Sequence, residues 1–319
     1  MSSQITIMTI PQHHSAISII GVPTNSSGTD DGVARAPGAY RRAGLITRLA
    51  HHVNVYDEGD VYFTPPTPVR DPVSGIIAPQ TFIEMITAVD QAVGRTLIQG
   101  RFPVVLGGDC GLLIGCLNAV RRRISPPALL FVDGHEDAYP PHRSPSGESA
   151  DMELGMLLGR STDGLPDALT EMLPLVTVDD VAMVGIRDRE VLKQEGIASL
   201  RDRTSILMFD DQAIMQGNGL TITCDALTHI GADRRRWWLH TDLDVLSTAA
   251  LSAVDYHQPG GLDWEMLTAI TTMALASENV VGWDITIYNP DMDANAEQIQ
   301  RIITFIEAGI QAYVSSETL

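Results

Sequence analysis

The chain of 319 residues is poor in cysteine, poor in positive charge and free of long apolar runs. Its 3 cysteines, Cys110, Cys116 and Cys224, are odd in number and show no paired spacing, which argues against a disulfide framework. Lys and Arg total 21 against 40 Asp and Glu, a formal charge of −19. A surface of that sign repels nucleic acid and anionic membranes, so neither is expected as a partner, and cationic substrates are the better match. No stretch approaches the roughly 20 apolar residues needed to cross a bilayer. The N-terminus carries Pro11, His13 and His14 before a short apolar strand, without the basic and long apolar regions of a secretory signal, so a cytoplasmic location is expected. Dinucleotide and P-loop patterns are absent, and Gly107-Gly108 reads as a tight turn, not a phosphate cradle.

Against these absences stands a hydrophobic content of 44% with 19% charged residues, ample for a core and unlike a disordered chain. Residues 1–14 read as a flexible leader, and 15–319 as a single domain. Short apolar runs at Ile17–Val22, Val53–Tyr56, Phe102–Leu106, Ala128–Val132, Val181–Ile186, Ile206–Phe209, Trp237–Leu239 and Val280–Tyr288 predict strands. Helical periods lie between them: a helix carrying Tyr40, Leu45 and Leu49, one over residues 81–99, one through Leu112 to Val120, one over 151–158, one over 264–277 and a final one from Asn295. The triplet Arg121-Arg122-Arg123 reads as a solvated helix C-terminus. Repeated alternation without internal repeats predicts a three-layer αβα fold with a mainly parallel central sheet and right-handed connections.

The chemistry concentrates at strand ends. Phe131-Val132-Asp133-Gly134-His135-Glu136-Asp137 leaves an apolar run and places Asp, His and Asp at alternate positions, which project to one side of extended backbone. Alone, the triplet fits a metal site and a polar surface loop equally well. The pattern recurs at Trp238-Leu239-His240-Thr241-Asp242-Leu243-Asp244, and a third strand ends in Gly107-Gly108-Asp109-Cys110. Strands of a parallel sheet deliver such residues to one edge, and five carboxylate or imidazole groups plus a thiol suit two cations sharing carboxylates. A glycosyltransferase with a DxD metal motif would account for one of the three motifs and leave two unexplained.

Taken together, the three motifs resemble those of the ureohydrolase superfamily, which comprises arginase, agmatinase, formiminoglutamase and their relatives. Gly185-Ile186-Arg187-Asp188, Gly260-Gly261-Leu262 and Asp284 with Asn289-Pro290 are similar to further landmarks, so the likeness spans nearly the whole chain. The resemblance implies an arginase-like fold, two divalent metal ions (Mn), and a bridging hydroxide that attacks a guanidine or amidine carbon. It implies that Asp133 and Asp242 bridge the ions, that Cys110 and Asp137 complete one and His135 and Asp244 the other. Asp137 would also carry the proton to the leaving amine. Tyr139 and Ser146 in the loop 139–150, with Asp188 and Glu190, are the implied substrate contacts; Asp284 would brace the ligands from behind, and His240 would be a spare ligand, a bracing donor or a packed histidine. A trimer or hexamer is implied as well, of one chain or with a second ureohydrolase-like chain.

The departures from the family pattern are specific. Cys110 stands where His is usual, which favours Ni, Zn or Co over Mn. Ala150 stands at the proton-shuttling His, Ile287 at the acid that grips the guanidinium, Glu190 at the acid that reads an amino group, and His240 at a Ser. Two readings follow: an autonomous metal-dependent guanidine or amidine hydrolase with a non-standard substrate, or a catalytically degenerate subunit supporting a paralogue. The second resembles the divergent subunit of the two-subunit metformin hydrolases.

Overall fold

The computed structural model describes residues 16–316, so the expected leader, residues 1–14, lies outside the described residues. Eight strands form one sheet: β1 Ala16–Val22, β2 Asn54–Asp60, β3 Phe102–Gly107, β4 Ala128–Val132, β5 Val181–Ile186, β6 Leu207–Asp210, β7 Trp237–Asp242 and β8 Val280–Thr286. They lie in the order β2-β1-β3-β8-β7-β4-β5-β6, and every pairing is parallel. Strands β3, β4, β5, β7 and β8 are buried along their whole length, as expected of a parallel sheet covered on both faces.

Each strand divides its side chains between two cores. Leu130 and Val132 join the core under helices Ala36–Arg42, Gly219–His229, Trp264–Leu275 and Glu297–Ser315. Leu129 and Phe131 join the opposite core, under helices Pro79–Ile98, Leu113–Arg123 and Glu153–Leu157. On Pro79–Ile98 the buried stripe is Met85, Ile86, Val89, Val93 and Leu97, each worth about 1.5–3 kcal/mol on leaving water. The three-layer expectation is met.

Local differences have identifiable causes. The helix expected through Tyr40, Leu45 and Leu49 is two helices, Ala36–Arg42 and Leu45–Leu49, split where Gly44 takes φ 90°. Strand β2 runs on through Asp57, Glu58 and Asp60, because Arg41 pairs with both aspartates and Arg101 with Glu58. Those charges sit on a sheet edge, where they discourage pairing with another strand. The arginine triplet is not simply solvated: Arg122 and Arg123 both reach Asp90, a buried acid on Pro79–Ile98, at 2.9 and 2.8 Å. Arg121 instead donates to the Met172 and Pro174 carbonyls. Strand β8 stops at Thr286, since Ile287 turns to φ 69°. No helix among the described residues is long and apolar enough to cross a membrane.

Candidate functional site

Register decides which residues meet. Val132 pairs with Thr241, and Asp242 with Thr286, so β4, β7 and β8 end side by side. Asp133, His135 and Asp137 follow β4, Asp242 closes β7 with Asp244 just beyond, and Asp109 and Cys110 follow β3 on the far side of β8. All therefore gather at the C-terminal edge of the sheet. Two glycines make the packing there feasible. A Cβ on Gly108 would stand 1.7 Å from the Thr24 carbonyl oxygen, so only glycine lets the turn lie against the β1 loop. Gly185 takes φ 108°, and a Cβ there would stand 2.8 Å from the Asp133 carbonyl oxygen.

Two groups of ligand-type atoms result, each with its atoms within 4.8 Å of one another: Cys110, Asp133, Glu153 and His240, and Asp133, His135 and Asp244. Asp133 belongs to both, one oxygen to each side: its Oδ1 is 3.6 Å from His135 Nδ1, and its Oδ2 is 3.7 Å from His240 Nε2. His135 Nδ1 is also 3.1 Å from Asp244 Oδ2. Cys110 Sγ donates to Asp242 Oδ2 at 2.8 Å and lies 3.1 Å from Thr286 Oγ1. Asp242 Oδ1 accepts the Asp244 N–H at 2.7 Å, so Asp242 is beside the groups and outside both. His240 and Asp284 brace the cluster from below as the register dictates: they are direct partners on β7 and β8, joined Nδ1 to Oδ2 at 2.6 Å, and Trp238 Nε1 donates to the other Asp284 oxygen at 2.5 Å.

Burial and like charge set the electrostatics. Burial, then Glu153 and Asp133, push the Asp137 carboxyl well above its usual range. Glu153 is pushed up by burial and Asp133, and Asp242 by burial, Asp244 and Asp133. Burial would raise Asp133 too, but the imidazoles of His135 and His240 beside it prevail and hold it well below the carboxylate range. Burial opposes protonation of both imidazoles, but the acids around them prevail, Asp244 foremost for His135 and Asp284 for His240, and raise both above the usual imidazole range. Cys110 is pushed up by burial and then by Asp242 and Glu153. Several buried atoms nonetheless lack a hydrogen-bond partner: Asp133 Oδ2, His240 Nε2, Asp244 Oδ1 and both Glu153 oxygens. Orphaned buried acceptors cost about 1–3 kcal/mol each, more for charged groups. Carboxylate and imidazole atoms left unpartnered beside the Cys110 thiol are a donor set that a divalent cation satisfies.

The cluster floors a cleft of about 840 Å³, its solvent mouth included. Nine of the lining residues are Asp or Glu and none is Lys or Arg. Among the residues expected from the sequence, Cys110, His135, Asp137, Tyr139, Asp188, Asp242 and Asp244 line it, and Asp137 does so with φ 40°. Tyr139 donates its hydroxyl to Glu195 at 2.5 Å across the rim. Asp188 accepts the Glu136 N–H at 3.0 Å, and burial pushes its carboxyl up to about 7.

Two expected substrate contacts are elsewhere. Ser146 is outside the cleft lining, because its hydroxyl is taken up inside the loop by Asp151. Glu190 is 74% exposed and 3.8 Å from Lys193 on its own helical turn, so it reads nothing in the cleft. Conversely, Glu153 was not foreseen, nor were Asp109, Glu148 and Asp255 in the cleft wall. A clue to Glu153 is present in the sequence: it is the lone charge in Met152-Glu153-Leu154-Gly155-Met156-Leu157, an apolar run that buries it completely. Glu148 is raised to about 7 by burial and then by Asp151, Asp109 and Asp255. The space facing Ile287, itself in the lining, is thus acidic without an acid at that position.

Known proteins share this fold. A family model described as "Arginase family" matches residues 15–307. An arginase of Staphylococcus aureus is 25% identical over 295 residues, covering 91% of this chain and 95% of that one. The solved structure of an arginase from Bacillus caldovelox superposes with a TM-score of 0.79 at 24% identity, covering 93% of this chain and 98% of that one. The formimidoylglutamase of Bacillus subtilis superposes with a TM-score of 0.71 at 17% identity, covering 95% and 88%. The match takes in the sheet and every one of the strand-end motifs, and the chain belongs to the arginase family, within the ureohydrolase superfamily.

Proposed function

We propose that this chain is a metal-dependent hydrolase that cleaves a C–N bond of a small guanidinium or amidinium cation, releasing urea or its equivalent. The observation that carries the reading is the junction of two features: unpartnered ligand atoms around Asp133, and a cleft above them lined by nine acids and no Lys or Arg. Divalent metal bound there would supply Lewis-acid polarisation and a water acidic enough to attack at neutral pH. Mn is the family's metal; Cys110 shifts the preference toward Ni, Zn or Co.

The chain's own residues do the rest. Asp137, at the cleft face with a raised affinity for protons, is suited to hold the proton that passes to the leaving amine. The acids Asp109, Glu148 and Asp255 take over the attraction of the cation at the wall where Ile287 offers only apolar contact. A substrate carboxylate would meet no cation in this lining other than His135, so carboxylate-free guanidines, including biguanides, are the matching class. The purified chain loaded with Ni, Mn, Zn or Co is tested against arginine, agmatine, simple alkylguanidines and biguanides, with urea and amine release as readout. Turnover is expected on the carboxylate-free cations; silence across the panel sinks the reading for the chain alone.

One observation favours a second reading, a supporting subunit in a hetero-oligomer with a second ureohydrolase-like chain, as in metformin hydrolase. His240, joined to Asp284 and 3.7 Å from Asp133, gives the cluster an internal cation that compensates the carboxylates by itself. In a complex with such a partner, Asp133→Ala would leave activity untouched on this reading and abolish it on the first.

A further inference from the structure

The two ligand groups around Asp133 differ in kind, and the difference assigns them different work. The group of Cys110, Asp133, Glu153 and His240 offers four protein donors, a thiol, an imidazole and two carboxylates, all buried. Glu153, His240 and Asp133 are each 0% exposed and absent from the cleft lining. The group of Asp133, His135 and Asp244 offers three donors, and His135 and Asp244 face the cleft. Sites closed by four protein ligands are structural in zinc proteins, and sites with three and an open position are catalytic.

Resting on the hydrolase reading above, we propose that the deeper ion is held by Cys110, Asp133, Glu153 and His240 as a closed structural site for a borderline-soft cation such as Zn, Ni or Co. The outer ion, on Asp133, His135 and Asp244, keeps the position open to substrate. This departs from the arrangement implied by resemblance, in which Asp137 completes the ion at Cys110 and Asp242 bridges the two ions. Three observations support the assignment. Both Glu153 oxygens and His240 Nε2 are buried without a hydrogen-bond partner, although a buried carboxylate normally finds one. Four tetrahedral donors at about 2.0–2.3 Å from one ion lie about 3.3–3.8 Å apart, so atoms now within 4.8 Å must draw together by up to about 1.5 Å on a cation. His240 is held by Asp284 through Nδ1, which leaves Nε2 directed toward Asp133, the usual bracing of a metal-bound imidazole by a carboxylate. Filling the site displaces the Cys110 S–H proton, now donated to Asp242 Oδ2, together with any proton on the Glu153 carboxyl or His240 Nε2, and these pass to solvent.

The test is cobalt loading of the full chain, read by absorption and by metal content. Wild type should bind two equivalents, with a near-ultraviolet thiolate-to-cobalt band appearing with the tightly held one. Glu153→Gln and His240→Gln should each bind one equivalent and lose the band. Asp244→Asn should bind one and keep it, and Asp137→Asn should keep both the band and two equivalents. Absence of the band in wild type overturns the assignment without any variant, and so does its loss in Asp137→Asn with retention in Glu153→Gln. Variants are compared with metal-free wild type by circular dichroism, so a misfolded one is recognised. The readout is independent of turnover: a protein with this spectrum that hydrolyses no guanidine keeps the ligand assignment and loses the hydrolase reading.

Discussion

Asp188→Asn isolates the electrostatics of the cleft when it is read in the stability of the metal-free protein, where no substrate is bound. The Asp188 carboxyl is 3% exposed, and burial moves it from 3.8 in the open chain to about 7. The fold therefore holds a proton that the unfolded chain releases. Below about pH 4 both states are protonated and the residue is neutral in its effect. As pH rises the unfolded state ionises first, and folding loses free energy until the native carboxyl ionises near 7. At about 1.4 kcal/mol per tenfold difference, the penalty is about 1.5 kcal/mol at about pH 5 and reaches about 4 kcal/mol at about pH 8, the latter a ceiling. Asparagine removes the penalty and keeps an oxygen for the Glu136 N–H. Urea denaturation of metal-free protein at the two pH values should show the variant more stable, with the larger gain at the higher pH. An equal effect at both, or destabilisation that grows with pH, would refute the buried neutral acid and mean that the carboxylate is ionised and paired in the fold.

Other perturbations follow from single observations. Asp284→Asn disturbs both the His240 contact and the Trp238 Nε1 bond at the centre of the sheet, and should cost about 3–5 kcal/mol in chemical denaturation, as when one member of a buried pair is removed. Gly108→Ala drives a methyl group into the Thr24 carbonyl, and a shift in unfolding midpoint equivalent to about 1–3 kcal/mol is expected, with loss of bound metal as Cys110 moves. Glu148 is raised to about 7, so it gains its negative charge as pH rises through neutrality; KM for a guanidinium substrate should fall over that range, and Glu148→Gln should flatten the fall.

Much of the fold was legible because a parallel sheet writes itself plainly. Strands buried on both faces are short unbroken apolar runs, and each such run expected from the sequence became a strand. The motifs could be placed at strand ends for the same reason, and register then brought Asp133, His135, Asp242 and Asp244 together. Pattern fails where backbone or tertiary context decides. The break at Gly44 and the end of β8 at Ile287 are set by left-handed backbone conformations that an apolar run does not reveal. The pairing of Arg122 and Arg123 with Asp90 joins residues 32 and 33 positions apart, and a helix read alone sees only its own dipole. Ser146 and Glu190 were placed by analogy of spacing, yet Ser146 turns into its loop and Glu190 faces outward. Glu153 is the instructive miss. It lies on a helix away from the strand-end motifs, and its signal is a violation of pattern, one acid where burial demands an apolar side chain.

For this chain to act as a hydrolase, its strand-end cluster must hold metal. The direct measurement is metal content per chain on protein purified without chelators, alone and with any copurifying partner. Close to two equivalents per chain is the predicted result; close to none here, with the metal confined to a partner, would contradict it and make this chain the non-catalytic half of a heteromeric enzyme.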